Sequence, residues 1–152
     1  MKVINILNIN PDETAVLLIN VPSKKLGRKD IVKVENVSSL HETAPVGVPD
    51  KQPNYINAVL IGQSELKPLD LMRKLLDVEN EMGRARSFQN AARIIDIDIV
   101  EYGGLFMESA ELTLPHPRAS QRRFVLEPWF EIEPDGELAG HGDIRQLLSQ
   151  LQ

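Results

Sequence analysis

The sequence predicts an α+β fold with a ferredoxin-like βαββαβ core, in which helices pack on an antiparallel sheet. Two observations lead to this fold class. Apolar residues are concentrated in four strand-like segments, three of which alternate with polar residues, and two segments with helical spacing lie between them. In chain order these segments are strand 2–9, helix 12–26, strand 31–40, strand 55–62, helix 68–83 and strand 93–102.

The first half of the chain contains two strand-like segments and one interrupted helical segment. Residues 2–9 alternate loosely between apolar side chains and asparagine, as in a half-buried strand. Residues 12–26 have apolar residues at helical spacing, although Pro22 is expected to interrupt the helix. Residues 31–40 alternate again and predict a second strand. The stretch His41–Pro53 contains three prolines and a glycine and predicts a loop.

The second half contains the clearest helix. Pro68 stands at its expected start, apolar residues then recur along one face, and Gly83 ends it. The polar segment Arg84–Ala92, which lies between this helix and the fourth strand, is expected to be a mobile loop. Beyond the core we expect a short edge strand within 105–112, an extended loop leading into a short helix within 114–132, and a final helix at 144–151.

The length and composition are those of one soluble globular domain spanning residues 1–152. The chain has a mass of 17.1 kDa, with 42% hydrophobic and 26% charged residues. Its net charge of −5 argues against a general nucleic-acid binder, since phosphate backbones favour an excess of Lys and Arg. The chain has no cysteine, which excludes disulfides and agrees with a cytoplasmic protein. No apolar run approaches the roughly 20 residues needed to cross a bilayer. We therefore expect a cytoplasmic monomer without a membrane span.

Two carboxylates in the fourth strand are the most informative residues of the chain. Asp96 and Asp98 are two positions apart in a run of Ile and Val, so in a strand both point to one face. Two unpaired carboxylates so close together repel each other, and a divalent cation relieves that repulsion. Hard oxygen ligands suit Mg²⁺. The alternative is an ordinary strand with solvent-exposed acids, which is the more common case for an isolated Asp-x-Asp.

Three arginines near this pair favour the metal interpretation. Arg84, Arg86 and Arg93 precede the two aspartates in the sequence, and guanidinium groups bind phosphate oxygens through paired hydrogen bonds. The combination predicts a site for a polyphosphate and its Mg²⁺. The alternative at Arg84 and Arg86 is a capped helix end followed by surface arginines.

Side chains suited to a flat polar ligand occur in two other stretches. Tyr55 and Asn57 share one face of the third strand, where a carboxamide can donate and accept beside an aromatic ring. His116 lies between two prolines that hold its backbone rigid, and Arg122 and Phe124 follow it. Each of these side chains also has a simpler explanation. The alternative at Asn57 is an amide that satisfies backbone groups, and the alternative at His116 is an ordinary hydrogen-bonding histidine. The alternative at Arg122 and Phe124 is a helix cap with one buried aromatic residue.

Six segments of the chain have a characteristic order and spacing. They are VSSLHETAPVG (37–47), QPNYINA (52–58), E-x-x-x-G-R-x-R (79–86), RIIDIDI (93–99), LTLPHPR (112–118) and R-x-F-V-L-x-P (122–128). Together they resemble the 6-hydroxymethyl-7,8-dihydropterin pyrophosphokinases of folate biosynthesis. The resemblance is specific, because six separate motifs keep both the order and nearly the spacing of that family.

This resemblance implies an activity and a role for individual residues. The activity is transfer of the β,γ-diphosphate of ATP to the hydroxymethyl oxygen of the pterin, with release of AMP and with Mg²⁺ as cofactor. By matched position, Asp96 and Asp98 would bind two Mg²⁺ ions, and with Arg84 and Arg93 they would form the catalytic group. The nucleotide would contact Glu79, Arg84, Arg86, Ile99, Thr113, His116 and Arg122. The pterin would contact Thr43, Val46, Tyr55, Asn57 and Phe124.

Two segments depart from the family pattern and motivate other functions. The family has Gly-Ser-Asn after its first strand, where this chain has Asn8-Ile9-Asn10. It commonly has Trp-Gly-Pro before the metal-binding strand, where this chain has Asn90-Ala91-Ala92. Without that aromatic residue we expect weaker pterin binding. One alternative is a non-catalytic relative that binds pterin or nucleotide. Another is a ferredoxin-like nucleotidyltransferase of a different kind, since Asp-x-Asp with Mg²⁺ is widely shared.

Overall fold

The computed structural model describes residues 2–9, 32–43, 55–83 and 95–151. Its main sheet is built from β1 (Lys2–Ile9), β2 (Lys33–Val37), β3 (His41–Thr43), β4 (Tyr55–Gln63) and β5 (Ile95–Tyr102). The strands lie in the order β2-β4-β1-β5, and β3 also pairs with β4. Every pairing is antiparallel. This strand order is that of a ferredoxin-like sheet, and the predicted fold class is confirmed.

Three α-helices pack on this sheet in the described part of the chain. They are α1 (Pro68–Gly83), α2 (Arg123–Ile132) and α3 (Ile144–Gln150). The helix α1 has the bounds that the sequence predicts, with a proline in its first turn and a glycine at its end. The predicted final helix is confirmed as α3, which begins after Asp143, whose side chain accepts a hydrogen bond of 2.7 Å from the backbone N–H of Arg145.

The sheet has a hydrophobic core on each of its two faces. The first core lies between the sheet and α1, and its buried members include Leu71, Leu75, Val78, Ile97 and Ile99. The second core lies between the sheet and the helices α2 and α3, and its buried members include Val59, Ile61, Val100, Leu126, Trp129 and Ile144. Two apolar faces on one sheet explain why the central strand β4 is buried from position 57 to position 62.

A β-bulge in β5 changes the alternation of the strand beyond Val100. The register between β1 and β5 shifts between Ile4 and Asn5, which pair with Glu101 and Ile99, so that Val100 is the extra residue. Ile99 belongs to the first core and Val100 to the second, and each is 1% exposed. Strict alternation would have placed Tyr102 on the face of Asp96, Asp98 and Val100, but beyond the bulge Tyr102 belongs to the first core.

The segment after β2 differs from the prediction in two respects. The predicted strand 31–40 is shorter and ends at Val37 in the structure. At the next position, the Ser38 hydroxyl accepts the backbone N–H of Val59 at 2.9 Å, and the Ser38 N–H donates to the Val59 carbonyl at 2.9 Å. A side chain thus replaces one backbone partner and ends the ladder. The predicted loop from His41 is wrong for its first three residues, because β3 pairs with β4.

Two small hairpins replace the single edge strand expected beyond β5. β6 (Met107–Glu108) lies within 105–112, where a short edge strand is predicted, but it pairs with β7 (Thr113–Leu114) in a sheet of its own and does not join the main sheet. β8 (Glu137–Leu138) and β9 (Gly142–Asp143) form a second hairpin that the sequence did not predict. Its turn contains Gly140, with φ of 76°, and β9 begins at Gly142, with φ of 96°; a side chain would be strained at either position.

Two predicted elements lie outside the described residues, namely the helix 12–26 and the loop Arg84–Ala92. Among the residues that are described, no helix has both the length and the apolar character that a membrane span requires.

Candidate active site

The two aspartates of β5 lie on the sheet face of the second core. Ile97 and Ile99 are 2% and 1% exposed in the first core, whereas Asp96 is exposed and Asp98 is half-buried. The predicted alternation along this part of the strand is therefore confirmed, and both carboxylates share one face. The helices α2 and α3 cover that face further along the sheet, so the carboxylates stand at the open margin of the second core.

The sheet register aligns the carboxylates with the predicted ligand-binding amide. Asn57 pairs with Asn8, and Asn8 pairs with Asp96, so these three positions form one row across β4, β1 and β5. The neighbouring row joins Val59, Ile6 and Asp98 in the same way. Adjacent strands are about 4.8 Å apart, which puts the backbones at Asn57 and Asp96 about 10 Å apart. That separation suits a flat ligand whose reactive group approaches a metal-bound phosphate.

The Asn57 side chain is buried and only half satisfied. It is 1% exposed, and its Nδ2 donates to Thr43 Oγ1 at 2.8 Å. Its Oδ1 is buried and has no hydrogen-bond partner among the residues that the structure describes. A buried acceptor without a partner costs about 1–3 kcal/mol. A ligand N–H group placed against this oxygen would remove that cost, so the amide is suited to the edge of a nitrogen heterocycle.

His116 is brought to the carboxylates by the segment after β7. Its backbone N–H donates to the Val100 carbonyl at 2.8 Å, which holds the segment along β5. Burial lowers the pKa of the His116 imidazole from its ordinary 6.5, the charge of Asp98 opposes this change, and the charges of Arg122 and Arg118 add to it. The imidazole is therefore neutral at pH 7. Its Nδ1 accepts the backbone N–H of Arg118 at 3.2 Å, so the proton of the neutral ring is on Nε2.

Arg122 and Phe124 form a stacked pair at the start of α2. The Arg122 guanidinium carbon is 5.3 Å from the centre of the Phe124 ring, which is a cation–π arrangement. Both side chains are half-buried, and Arg122 is close enough to His116 to lower the pKa of that imidazole. The structure thus places a cation and an aromatic ring near Asp98, although these residues are more than 20 positions away in the sequence.

Glu79 is a buried carboxylate that supports β5 from α1. It is 6% exposed, and its Oε1 accepts the backbone N–H of Ile97 at 2.6 Å. β5 is the last strand of the described path, and Glu79 takes the place of a further strand at this position. The bond fixes the backbone of the residue between Asp96 and Asp98, so Glu79 has a structural contribution that the sequence did not reveal.

The carboxylate pair has the donor set that Mg²⁺ requires. No group of three or more His, Asp or Glu side chains that could hold a metal ion occurs within the described ranges. Structural zinc takes four protein ligands and Ca²⁺ takes six to eight oxygens, whereas Mg²⁺ is usually held by one or two carboxylates together with substrate phosphates and water. Asp96 and Asp98, accessible on one face, fit Mg²⁺.

For the other predicted site residues, the structure gives only the position in a strand or the burial of the side chain, and some lie outside the described ranges. Thr113 is half-buried in β7, and the Ile99 side chain is buried in the first core. Tyr55 lies in β4 opposite Thr43. Val46, Arg84, Arg86 and Arg93 lie outside the described residues.

One residue near the site was missed by sequence reasoning. Glu131 of α2 contacts His41, which is paired with Asn57 on the neighbouring strand. The two contacting residues are 90 positions apart, and no periodicity or local motif connects them.

The fold and this face define a class of protein. It is a ferredoxin-like α+β protein whose sheet carries a carboxylate pair, a neutral histidine, an arginine stacked on an aromatic ring and a half-satisfied buried amide. Residues 10–134 match the sequence model of the family described as 7,8-dihydro-6-hydroxymethylpterin-pyrophosphokinase. The chain belongs to this family, as its motifs predicted.

Relatives of known name agree with this assignment. The chain is 35% identical over 137 residues to the 2-amino-4-hydroxy-6-hydroxymethyldihydropteridine pyrophosphokinase of Haemophilus influenzae, covering 90% of this chain and 85% of that protein. It is 39% identical over 104 residues to the protein of the same name from Synechocystis, covering 68% of this chain and 52% of that protein. It spans only 15% of the folic acid synthesis protein of Dictyostelium discoideum, to which it is 36% identical.

Solved structures show the same fold. The crystal structure of wild-type HPPK-DHPS from Plasmodium falciparum superposes with a TM-score of 0.73 at 15% sequence identity, covering 98% of this chain and 43% of that one. The crystal structure of a variant of the same Plasmodium falciparum protein gives a TM-score of 0.75 at 14% sequence identity. At this level of identity the comparison establishes the fold alone.

Proposed function

We propose that this protein transfers the β,γ-diphosphate of ATP to the hydroxymethyl oxygen of 6-hydroxymethyl-7,8-dihydropterin. That oxygen attacks the β-phosphorus, the bond from this phosphorus to the α,β-bridging oxygen breaks, and AMP leaves with the bridging oxygen. Family membership supports the reaction. The structural observation that supports it best is the row that aligns the half-satisfied amide of Asn57 with the carboxylate of Asp96.

The proposed role of Asp96 and Asp98 is to hold Mg²⁺ beside the phosphates of ATP. When bound, Mg²⁺ supplies positive charge to the phosphate oxygens in the transition state. The two carboxylates stand on a strand that is paired on one side and bonded to Glu79 on the other, so their positions are fixed before substrates bind. Diphosphate transfer depends on positioning and charge neutralisation more than on a protein nucleophile.

The proposed role of His116 and Arg122 is to bind phosphate oxygens. The neutral imidazole offers Nε2–H as a donor, and the guanidinium of Arg122 offers charge and several donors. By the family resemblance, Arg84, Arg86 and Arg93 complete this group from the segment between α1 and β5. On the same basis Glu79, Ile99 and Thr113 border the nucleotide. Because the Ile99 side chain is buried in the first core, its backbone is the part available to ATP.

The proposed pterin site is built around Asn57. The unpaired Oδ1 accepts an N–H group of the heterocycle, while Thr43 Oγ1 holds the other end of the amide. Phe124, at the start of α2, offers a stacking face. By the family resemblance, Tyr55 and Val46 line the same pocket.

An assay of AMP formation tests this function. The protein is incubated with ATP and Mg²⁺, with and without 6-hydroxymethyl-7,8-dihydropterin, and AMP is quantified by chromatography. We expect AMP only when the pterin is present. The names of the relatives favour this outcome over the non-catalytic alternative, for which pterin would bind without AMP being formed. A different nucleotide product without pterin binding would point to another nucleotidyltransferase.

The oligomeric state and cellular location expected from the sequence stay predictions. Sedimentation of the purified protein tests the monomer, and fractionation of the source cells tests the cytoplasmic location.

A further inference from the structure

Glu131 joins the helix α2 to the short strand β3. Its carboxylate accepts the backbone N–H of Ser39, at 3.2 Å to Oε1 and 3.1 Å to Oε2. Its Oε2 is also 3.0 Å from His41 Nε2. The charge of the carboxylate is favoured by these contacts, because the hydrogen bonds from His41 and Ser39 lower the pKa of Glu131. One side chain of α2 therefore contacts both His41, the first residue of β3, and Ser39, two positions before it.

The residues held by Glu131 are next to the proposed pterin site. His41 pairs with Asn57 across β3 and β4, so their side chains are neighbours on one sheet face. Two residues further along β3, the Thr43 hydroxyl accepts from Asn57 Nδ2 at 2.8 Å. The orientation of the Asn57 amide, and hence the direction of its unpaired Oδ1, depends on where β3 places Thr43.

Strand β3 is a short strand at the edge of the sheet. It is three residues long and pairs with β4 alone among the described strands. Ser38, just before it, is anchored to Val59, but Ser39 and Leu40 lie on the surface between that anchor and the strand. A short edge strand of this kind slips or frays unless a side chain holds it. Glu131 supplies that restraint from the opposite layer of the molecule.

We propose that His41 and Glu131 are positioning residues for the heterocycle, acting on substrate through β3, Thr43 and Asn57. This inference rests on the proposed function for the identity of the ligand. The described hydrogen bonds of Glu131 go to Ser39 and His41 and not to the proposed phosphate-binding or metal-binding residues, so we expect a selective effect. Loss of the pair weakens binding of the pterin and leaves binding of ATP and the rate of transfer at saturation nearly unchanged.

Pterin titration of matched variants tests the selectivity. Isothermal titration with 6-hydroxymethyl-7,8-dihydropterin, in the presence of a non-hydrolysable ATP analogue and Mg²⁺, gives the pterin Kd of Glu131→Ala, His41→Ala and the double variant. We expect each to raise the pterin Kd about tenfold, with KM for ATP and kcat within about twofold of wild type. The double variant should bind pterin as Glu131→Ala does, because Glu131→Ala already removes the contact with His41 together with the acceptor of the Ser39 N–H.

Two further variants separate positioning from a general loss of structure. Glu131→Gln keeps an oxygen that accepts from Ser39, and we expect it to restore most of the pterin affinity. Glu127→Ala, one turn earlier on α2, removes a side chain that pairs with Arg123 and has no hydrogen bond to β3. It should bind pterin as wild type does. Equal losses for pterin and ATP, or a loss in Glu127→Ala as large as in Glu131→Ala, would overturn the proposal.

A measurement without substrates separates this inference from the proposed function. The side-chain amide signals of Asn57 are identified in ¹⁵N–¹H spectra by their absence in Asn57→Ala. We expect Glu131→Ala to shift these signals and to speed hydrogen exchange at 41–43, while Glu127→Ala leaves both unchanged. If Glu131→Ala leaves them unchanged, the positioning role is wrong whatever the ligand is. If wild type binds no pterin but the signals shift, the positioning holds and the proposed function fails.

Discussion

The Asn57 side chain is fully buried, but without a ligand only part of its hydrogen-bonding capacity is used. Packing in β4 buries the amide to 1% exposure, while only its Nδ2 finds a partner among the described residues. Natural structures leave few buried polar atoms unpaired, and such atoms concentrate where a ligand completes the hydrogen bonding. A site of this kind is selective, since a ligand without the matching donor leaves the oxygen unpaired.

The first prediction concerns this amide. Asn57→Ala should raise the pterin Kd by roughly 5- to 150-fold, because loss of a partner to buried ligand groups costs about 1–3 kcal/mol. Phe124→Leu should raise it less, since stacking on an aromatic ring contributes on the order of 1 kcal/mol. Titration calorimetry with an ATP analogue and Mg²⁺ measures both. Gln63→Ala, at the exposed end of the same strand, is the control, and an unchanged Kd in Asn57→Ala would contradict the pterin site.

The second prediction concerns the carboxylate pair. Asp96→Asn and Asp98→Asn should each lower kcat at least a hundredfold, since metal neutralisation of transferring phosphate contributes several kcal/mol and each 1.4 kcal/mol is about tenfold in rate. The thermal unfolding midpoint should stay close to that of wild type, because both side chains are at the open margin of the core. Steady-state assays across a range of Mg²⁺ concentration measure the effect.

Asp135→Asn, in an exposed turn after α2, serves as the control for that experiment and should keep full activity. Retention of most activity in either Asp96→Asn or Asp98→Asn would show that the pair does not hold the metal.

At the scale of elements, β5 needs support because it is the last strand of the described sheet path. One neighbour, β1, pairs with it, and Glu79 of α1 accepts the Ile97 N–H on its other side. The bond joins the middle of β5 to a helix that belongs to the first core. Through it, packing of α1 fixes the segment that carries both aspartates.

The third prediction follows from this bond. Glu79→Ala should lower the free energy of unfolding by about 1–3 kcal/mol, because it leaves the Ile97 N–H without its acceptor. Glu79→Gln should lower it less, since a carboxamide oxygen can still accept from Ile97. Urea unfolding measures the difference. Asn80→Ala, exposed on the next position of α1, is the control. Equal stability of Glu79→Ala and the control would show that the edge contact contributes nothing.

At the scale of the whole molecule, Glu101 connects parts that are distant in the chain. It lies in β5, and an interaction with the backbone of Ala139 in the turn after β8 stabilises its charge. Lys2 of β1 also stabilises that charge, and Lys2 is itself paired with Glu133 after α2. One oxygen, Oε2, is buried without a hydrogen-bond partner in the described part of the chain. Burial is the largest influence and raises the pKa of Glu101 above its ordinary 4.5.

The fourth prediction is a pH dependence of stability. Because the pKa of Glu101 is higher in the folded state, ionisation costs the folded protein stability as pH rises through that raised value. Below the ordinary value of 4.5, both states are protonated and there is no cost. Glu101→Gln should therefore raise the unfolding midpoint at pH 8, by on the order of 2 °C, and should not raise it at pH 4.

Thermal unfolding followed by circular dichroism at pH 4, 5.5 and 8 measures this dependence. Glu108→Gln, exposed on β6, removes the same charge without burial and should show no such trend. A gain for Glu101→Gln that is largest at pH 4 would contradict the assignment.

Elements whose signal is local could be predicted from the amino-acid sequence alone. The helix α1 and the strands β1 and β5 follow from apolar periodicity, since the solvent side and core side of an element alternate in a way that its own residues record. The strand β4 follows from a short continuous apolar run, as expected for a strand covered on both faces. Proline and glycine fixed the ends of α1 in the same local way. The alternation of Asp96 and Asp98 with Ile97 and Ile99 also needs no tertiary information. The ordered motifs were enough to predict the family.

Which of these residues contact one another depends on the tertiary fold. The bulge after which Tyr102 returns to the first core depends on pairing with β1. The pairing of β3 with β4 depends on a partner strand that residues 41–43 do not specify. The contacts Thr43–Asn57, Glu79–Ile97 and His41–Glu131 join positions 14, 18 and 90 apart. Hydrogen bonds of this kind form where packed layers bring donors and acceptors together, and that geometry is a property of the assembled cores, which no single segment contains.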